Sequence, residues 1–459
     1  MAFVAPFRGL RFNPGKVERL EDVMSPPYDV INSRGQAALL AKHPYNMIQL
    51  DISKEPGGAE GAPAARYEQA RDCFGRWQEE EVLLRDPEPA IYLYDIDYVH
   101  PSGRRYTRRG LVALIRLADF AENIVKPHEQ TFATVTRDRL KLMDTCQAQF
   151  SQIFSLYADP AGAVMATLDA ASPETPLLRV RDGEGNIHSL RAVTDRAALA
   201  RVHRLFADQP LYIADGHHRY TTALQFRDMI RERYGKLADD NPINYTMMYL
   251  CAMEDPGLSV LPTHRLLRLA GAATMDAMID LLAPGFDIEE VGGGAREVLV
   301  GEVLARIEEE SEAGEGHATV LGLYHAGEDR CLLLKMRPGA MDWAAERRPP
   351  ELRDLDVVVL SDLVLEKILG VDHEQCEREN LIGYFSDPDE ALDVAVKEST
   401  AADDRTPLLF LLNRTAVHQV RRVADAGLIM PHKSTFFYPK ILTGLIMNKF
   451  VPSESVTIG

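Results

Sequence analysis

Cysteine is sparse: five in 459 residues, scattered as Cys73, Cys146, Cys251, Cys331 and Cys376. No two stand in a Cys-x-x-Cys pair and the number is odd, so no disulfide framework is implied. Isolated thiols of this kind behave as small buried hydrophobes and fit a reducing compartment. Long apolar runs are also lacking. The longest, such as Leu355 to Leu360 and Leu408 to Leu412, are strand-length, and Met1 to Pro14 has no apolar stretch of the kind a signal peptide needs. A cytoplasmic protein without a membrane span is therefore expected. Cations are short too: 51 Lys and Arg against 69 Asp and Glu leave a formal charge of −18, which argues against a general nucleic-acid surface. An acidic protein that binds a phosphate compound must gather its cations locally or borrow Mg²⁺. Any basic cluster then carries weight.

What is present is ordinary globular material, 46% hydrophobic and 26% charged, in a chain long enough for about two to three domains. Three hairpins are predicted: Ile91 to Val99 with Arg104 to Leu117, Leu178 to Val180 with Ile187 to Val193, and Ala318 to Tyr324 with Arg330 to Met336. Gly- or Pro-bearing bends join each pair, and hairpins exclude a purely parallel sheet. Helices are predicted over Ala64 to Glu80, Thr136 to Gln147, Ala272 to Leu282 and Ala295 to Glu309, with a helical continuation through Asp354 to Leu369. Pro56 to Pro63 and Gly292 to Gly294 read as surface loops. The expected class is mixed α/β (α+β). Its expected division is a motif-bearing core over 1–270, a second α/β domain over 271–400, and a segment 401–459 packing back on the core.

The sharpest local signal is Asp215-Gly216-His217-His218-Arg219. Leu211 to Ala214 is a short apolar strand, Asp215-Gly216 a turn, and the pattern from His218 to Tyr234 is helical, with Tyr220, Ala223, Leu224, Ile230 and Tyr234 on one face and Gly235 as terminator. The loop thus sits at a helix N-terminus, where backbone N–H groups and the dipole favour an anion. Arg219 adds a fork that matches phosphate oxygens. The plainer reading is Asp215 as a helix cap with solvated first-turn residues. A metal site is a competing reading, though adjacent histidines point to different sides of a helix.

Four further clusters stand out. Lys126-Pro127-His128-Glu129-Gln130-Thr131 offers Glu129 as a general base and His128 as an acid or phosphate ligand, with Arg137, Asp138 and Arg139 close behind. Ser25-Pro26-Pro27-Tyr28-Asp29-Val30 is a stiffened segment that aims Tyr28 and Asp29. Leu261-Pro262-Thr263-His264-Arg265 places a basic pair at a strand exit. In Met430 to Lys440, Lys433, Ser434 and Thr435 are phosphate-ligand types, while Phe436 to Tyr438 are core-packing types. For each, an exposed loop or rigid connector is the alternative.

Together these motifs, with His43-Pro44-Tyr45-Asn46, resemble a prokaryotic family named as domain of unknown function 1015, from Pro6 to Gly444. The loop Asp215 to Arg219 is also similar to the phosphate-binding turn of the ParB/sulfiredoxin superfamily, which includes free-serine kinases, so a ParB/sulfiredoxin-like core is implied. Sulfiredoxin has its reactive cysteine inside this turn. No cysteine lies here between Cys146 and Cys251, so that reaction is disfavoured, and the acidic balance disfavours a ParB-like DNA role. The resemblance implies phosphoryl transfer from ATP, ADP or pyrophosphate to a small, serine-like hydroxyl compound. Gly216, His217, His218 and Arg219 would then hold the donor, with His128, Lys433 and Ser434 as further phosphate ligands. His218 would also share in the chemistry. Asp215 or Glu129 would hold Mg²⁺ or accept the proton of the attacking hydroxyl, with Glu129 favoured as the base and Asp29 as fallback, and Tyr28, His264 and Arg265 would face the substrate. A metal-assisted phosphatase and a non-catalytic nucleotide-binding regulator remain alternatives. The oligomeric state, a homo-oligomer included, stays open.

Overall fold

The computed structural model describes residues 2–51, 65–271, 273–312, 319–401 and 404–458. The chain is mixed α/β and divides into two compact units. One comprises Met1–Pro127, Thr131–Ser259 and Pro439–Gly459; the other comprises His128–Gln130 and Val260–Tyr438. These limits differ from 270 and 400. His264–Ala270 is an inner strand of the second unit's sheet, so the chain has already crossed over before residue 270.

The first unit is built on a nine-stranded mixed sheet. Ile91–Val99 pairs antiparallel with Arg105–Arg116, Tyr92 opposite Val112, and Leu178–Arg181 pairs antiparallel with Ile187–Val193. These are the first two predicted hairpins. Parallel pairings also occur, Leu211 opposite Val125 and Met248 opposite Ile153. One face buries Ile91, Leu93, Leu111, Ala113, Ile115, Met248 and Leu250 with Tyr220 and Ala223 from the helix His217–Tyr234. On the other face Tyr249 makes edge contacts with Tyr94 and Phe154.

The predicted helix after the Asp215 loop runs over His217–Tyr234, but its buried face differs from expectation. Tyr234 is 76% exposed, whereas Thr222 and Phe226 are buried. The helix is covered on two sides rather than one. Tyr220 packs toward the sheet, with its hydroxyl donating to the Ala118 carbonyl (2.7 Å). Phe226 and Ile230 pack with Leu140 and Met143 of the helix Ala133–Cys146 and with Phe450 from the carboxyl end. A single apolar stripe is the wrong template for a helix clamped this way. Residues 439–459 belong to this unit: Leu10 and Met447 exchange backbone hydrogen bonds, and Asn448 pairs with Gln149.

The second unit has a six-stranded antiparallel sheet, ordered Phe286–Val291, Arg330–Met336, Val320–His325, Arg405–Leu411, His264–Ala270, Ile382–Phe385. Side chains alternate along its strands. Leu408 and Phe410 join a core with Met275, Met278 and Leu363, while Leu409 and Leu411 join another with Val300, Val303, Leu392 and Ala395. A sheet covered by helices on both faces needs apolar residues at every position, which is why Leu408 to Leu412 reads as a continuous run. The third hairpin pairs Leu323 with Leu332. The stretch 356–368 is helical throughout, Asp356–Val358 continuing into a π-helix over Val359–Ile368. The predicted loop Pro56 to Pro63 lies outside the described residues, as do Ala64, Ala272 and Ala318 at the edges of predicted elements.

Candidate functional site

In the first unit the strand Leu211–Asp215 runs into Gly216, which adopts φ 97°, and the helix begins at His217 with no side chain capping it. The backbone here calls for glycine, and Arg219 uses the space it leaves. Gly216 lies in the left-handed region, and a Cβ there would come within 2.8 Å of Arg219 Nε. The arginine is folded back across the glycine. Its Nη2 donates to Asp215 Oδ1 (3.3 Å) and its Nη1 to the Gln152 carbonyl. Lys440 Nζ donates to Asp215 Oδ2 (3.0 Å). Burial pushes the Asp215 carboxyl up, but Lys440 and Arg219 together outweigh it and hold it well below the usual carboxylate range. Asp215 caps nothing; it tethers two cations.

His217 is buried. His218 stacks on Phe132 with ring centroids 5.7 Å apart, and the Phe132 backbone N–H donates to His218 Nε2 (3.0 Å). Nε2 is therefore an acceptor, which leaves the ring proton on Nδ1.

Beside the loop lies a cavity of about 40 Å³ whose lining includes Tyr28, Asp51, Arg139, Gln149, Arg219 and Thr222. Arg139 Nη1 donates to Asp51 Oδ1 (2.9 Å) and to the Asp51 carbonyl (2.8 Å). Its Nη2 and Nε donate to Asp138 Oδ2 (2.6 and 2.9 Å). The guanidinium also lies over the Tyr28 ring, 4.4 Å from its centroid. Asp51 is 4% exposed, and its Oδ2 has no hydrogen-bond partner among the described residues. Burial raises the Asp51 carboxyl, Arg139 and Arg219 offsetting only part of the effect. Burial likewise pushes the Tyr28 hydroxyl up to about 12, so it stays protonated at neutral pH. Asp29 is exposed at the surface, where its charge acts on Arg219.

The second unit gathers the other expected residues. His128 is fully buried, its Nε2 3.2 Å from Thr435 Oγ1, and its carbonyl accepts from the Met430 N–H (2.9 Å). Glu129 bridges to Met430 in parallel pairing, and its charge acts on Arg265. Arg265 donates to the carbonyls of Thr263, His432 (3.4 Å) and Lys433 (2.9 Å), and lies 5.2 Å from the Tyr384 ring centroid. Burial lowers its guanidinium to about 10. Lys433 has φ 57°. Ser434 Oγ donates to the Pro431 carbonyl (2.5 Å), so this hydroxyl braces its own loop.

His264 is 0% exposed and accepts the Leu412 N–H at Nδ1 (3.2 Å). Burial, reinforced by Arg265, lowers it to about 4. The folded state thus binds its proton less readily than the unfolded chain, whose histidine titrates near 6.5. Stability is fully present above 6.5 and lost as pH falls toward 4. At about 1.4 kcal/mol per pH unit the loss is about 3 kcal/mol. Denaturant melts of the second unit's tyrosine and tryptophan signals between pH 7 and 4 should trace that loss, and His264→Asn should flatten it.

So the structure brings Tyr28, Asp215, Gly216, His217, His218 and Arg219 together in one unit, and His128, Glu129, His264, Arg265, Lys433 and Ser434 in the other. Sequence reasoning missed Asp51 and Lys440 and placed Arg139 only in a charged run. The available signals were a carboxylate closing the short buried helix Ile48–Asp51 and the lysine that ends the motif Lys433 to Lys440. Among the described residues no group of three or more His, Cys, Asp or Glu is placed to hold a metal ion, and no helix is long and apolar enough to cross a membrane.

The chain has distant likenesses among solved structures. A free serine kinase in complex with AMP matches with a TM-score of 0.33 and 12% identity, covering 71% of this chain and 86% of that one. A conserved hypothetical protein from Pyrococcus furiosus gives 0.32 and 13%, covering 76% and 95%. SbnI with a C-terminal truncation from Staphylococcus aureus gives 0.29 and 9%, covering 72% and 85%. No curated protein matches. A family model matches residues 4–358, and the chain accordingly belongs to the family described as Protein of unknown function (DUF1015).

Proposed function

We propose that this protein is a small-molecule kinase that transfers a phosphoryl group from ATP, ADP or pyrophosphate to a hydroxyl compound. The observation that carries the reading is the gathering of cations at the loop. Two of them, Arg219 and Lys440, converge on Asp215 beside a helix start with no side-chain cap, in a protein of net charge −18. That is where a phosphate binds best. Phosphoryl transfer needs positioning and charge neutralisation more than covalent chemistry from the protein. A metal role for Asp215 does not fit, because both of its oxygens already face cations; it serves as their anchor. His218, at the same helix start, would help to hold the donor phosphates. Glu129 keeps the role the sequence assigns it, acceptor of the attacking hydroxyl's proton.

The test uses the full chain with each donor, with and without Mg²⁺, and a panel of primary alcohols, followed by phosphorus NMR. A new phosphomonoester should form only when donor and acceptor are both present. Phosphate release without an acceptor would identify a hydrolase instead. A donor at about 100 times its dissociation constant should stabilise the fold by about 2.7 kcal/mol; no stabilisation by any donor would sink the reading.

A further inference from the structure

Asp51 poses a problem that its neighbours do not solve. A carboxylate only 4% exposed keeps one oxygen without a partner among the described residues, although a buried polar atom left unmet costs about 1–3 kcal/mol. Its other oxygen is taken by Arg139, and Arg139 is in turn spent on Asp138 and on the Asp51 carbonyl. Gln149 cannot turn to help, since its amide donates to Thr246 (3.0 Å) and its carbonyl accepts from Met247 (2.9 Å) and Asn448 (3.1 Å). The open oxygen lies in the wall of a cavity of about 40 Å³. That is room for a few waters or for one hydroxyl-bearing carbon, and far too little for a nucleobase or a sugar ring.

The chemistry of the wall selects the occupant. An anion would meet the unpartnered carboxylate oxygen. An ammonium would meet Arg139 and Arg219. A purely apolar group would leave Asp51 unmet. A hydroxyl both donates and accepts, so it satisfies the carboxyl in either protonation state. Arg219 belongs to the cavity and to the Asp215 loop alike, so a group seated here lies beside the loop that would hold the donor.

We propose that this cavity is the acceptor subsite, receiving a hydroxyl end of a small alcohol that donates to Asp51 Oδ2. The proposal rests on the kinase reading, yet binding can be read without turnover. Saturation-transfer NMR on the full chain uses glycerol as probe and 1,3-dimethoxypropane as a control that cannot donate. Glycerol should bind the native protein, the ether should not, and Asp51→Asn should weaken glycerol about 10- to 100-fold, as expected for a hydrogen bond to a charged group. Donor affinity by calorimetry should not change. Where transfer is observed, the same variant should raise the acceptor KM more than it lowers kcat. If Asp51→Asn does not fold, Ser151→Leu decides, because Ser151 also lines the cavity and a leucine there occupies it while leaving the Asp51 carboxyl unaltered. Glycerol binding that survives both changes, or equal binding of glycerol and ether, overturns the subsite. Donor binding without transfer to any alcohol overturns the kinase reading, while the glycerol result still judges the cavity.

Discussion

Arg139→Leu should destabilise the first unit by about 3–5 kcal/mol, the range for removing one partner of a buried ion pair. The guanidinium ties Asp51 to Asp138 and covers the Tyr28 ring. Asp138 is only partly buried and keeps Arg66 and the Tyr67 hydroxyl as partners (2.7 Å from Tyr67). Asp51 has no such reserve, so most of the loss should come through it. Adding Asp51→Leu to Arg139→Leu should then recover more than half of the loss, because a buried pair replaced by apolar groups is often neutral. The pH dependence has a definite sign. Burial raises Asp51, so its contribution is fully present below the ordinary carboxylate value and is lost as pH rises through the raised value. Without Arg139 that value rises further, and the variant's deficit should shrink in acid. Urea unfolding of both variants at pH 5 and 8 checks each point. A double variant no more stable than the single one would place the cost elsewhere.

Much of this was legible in the chain, for reasons that differ between elements. The hairpins at Ile91 and Leu178 follow local turn chemistry, and local rules suffice for them. The strand–glycine–helix at Asp215 was equally plain. Tyr234 was misplaced because a heptad-like stripe assumes one buried side, and only the tertiary packing of Leu140, Met143 and Phe450 supplies the second. The site was half readable. Asp215 and Arg219 sit four residues apart and announce themselves. Lys440 stands 225 residues from Asp215, and Asp51 stands 88 from Arg139. No spacing rule joins residues so far apart; only the return of the carboxyl end onto the first unit and the short helix at Ile48 bring them in. Asp215 likewise read as a cap or metal ligand because its pairing with the distant Lys440 was unknown.

Arg219→Ala separates ligand binding from folding more cleanly than any other change. Its removal does not strand Asp215, since Lys440 still holds Oδ2, so the fold should lose less than Arg139→Leu does. The donor should lose far more. Without Arg219 one of the two cations that converge on Asp215 is gone, and with it the guanidinium fork. Loss of a charged hydrogen bond weakens donor binding by roughly 10- to 100-fold. An arginine placed on a transferring phosphoryl group contributes about 10³-fold or more to the rate, so turnover should fall further than affinity. Arg219→Lys should rescue little. The guanidinium reaches Asp215 and the Gln152 carbonyl at once while passing close to Gly216, and an ammonium is a point charge that cannot span both. Calorimetric titration of the donor, thermal melts and the phosphorus NMR assay, run on all three proteins, give the comparison. If Arg219→Ala melts early but binds donor as the native chain does, the arginine is a structural brace and the phosphate must bind elsewhere.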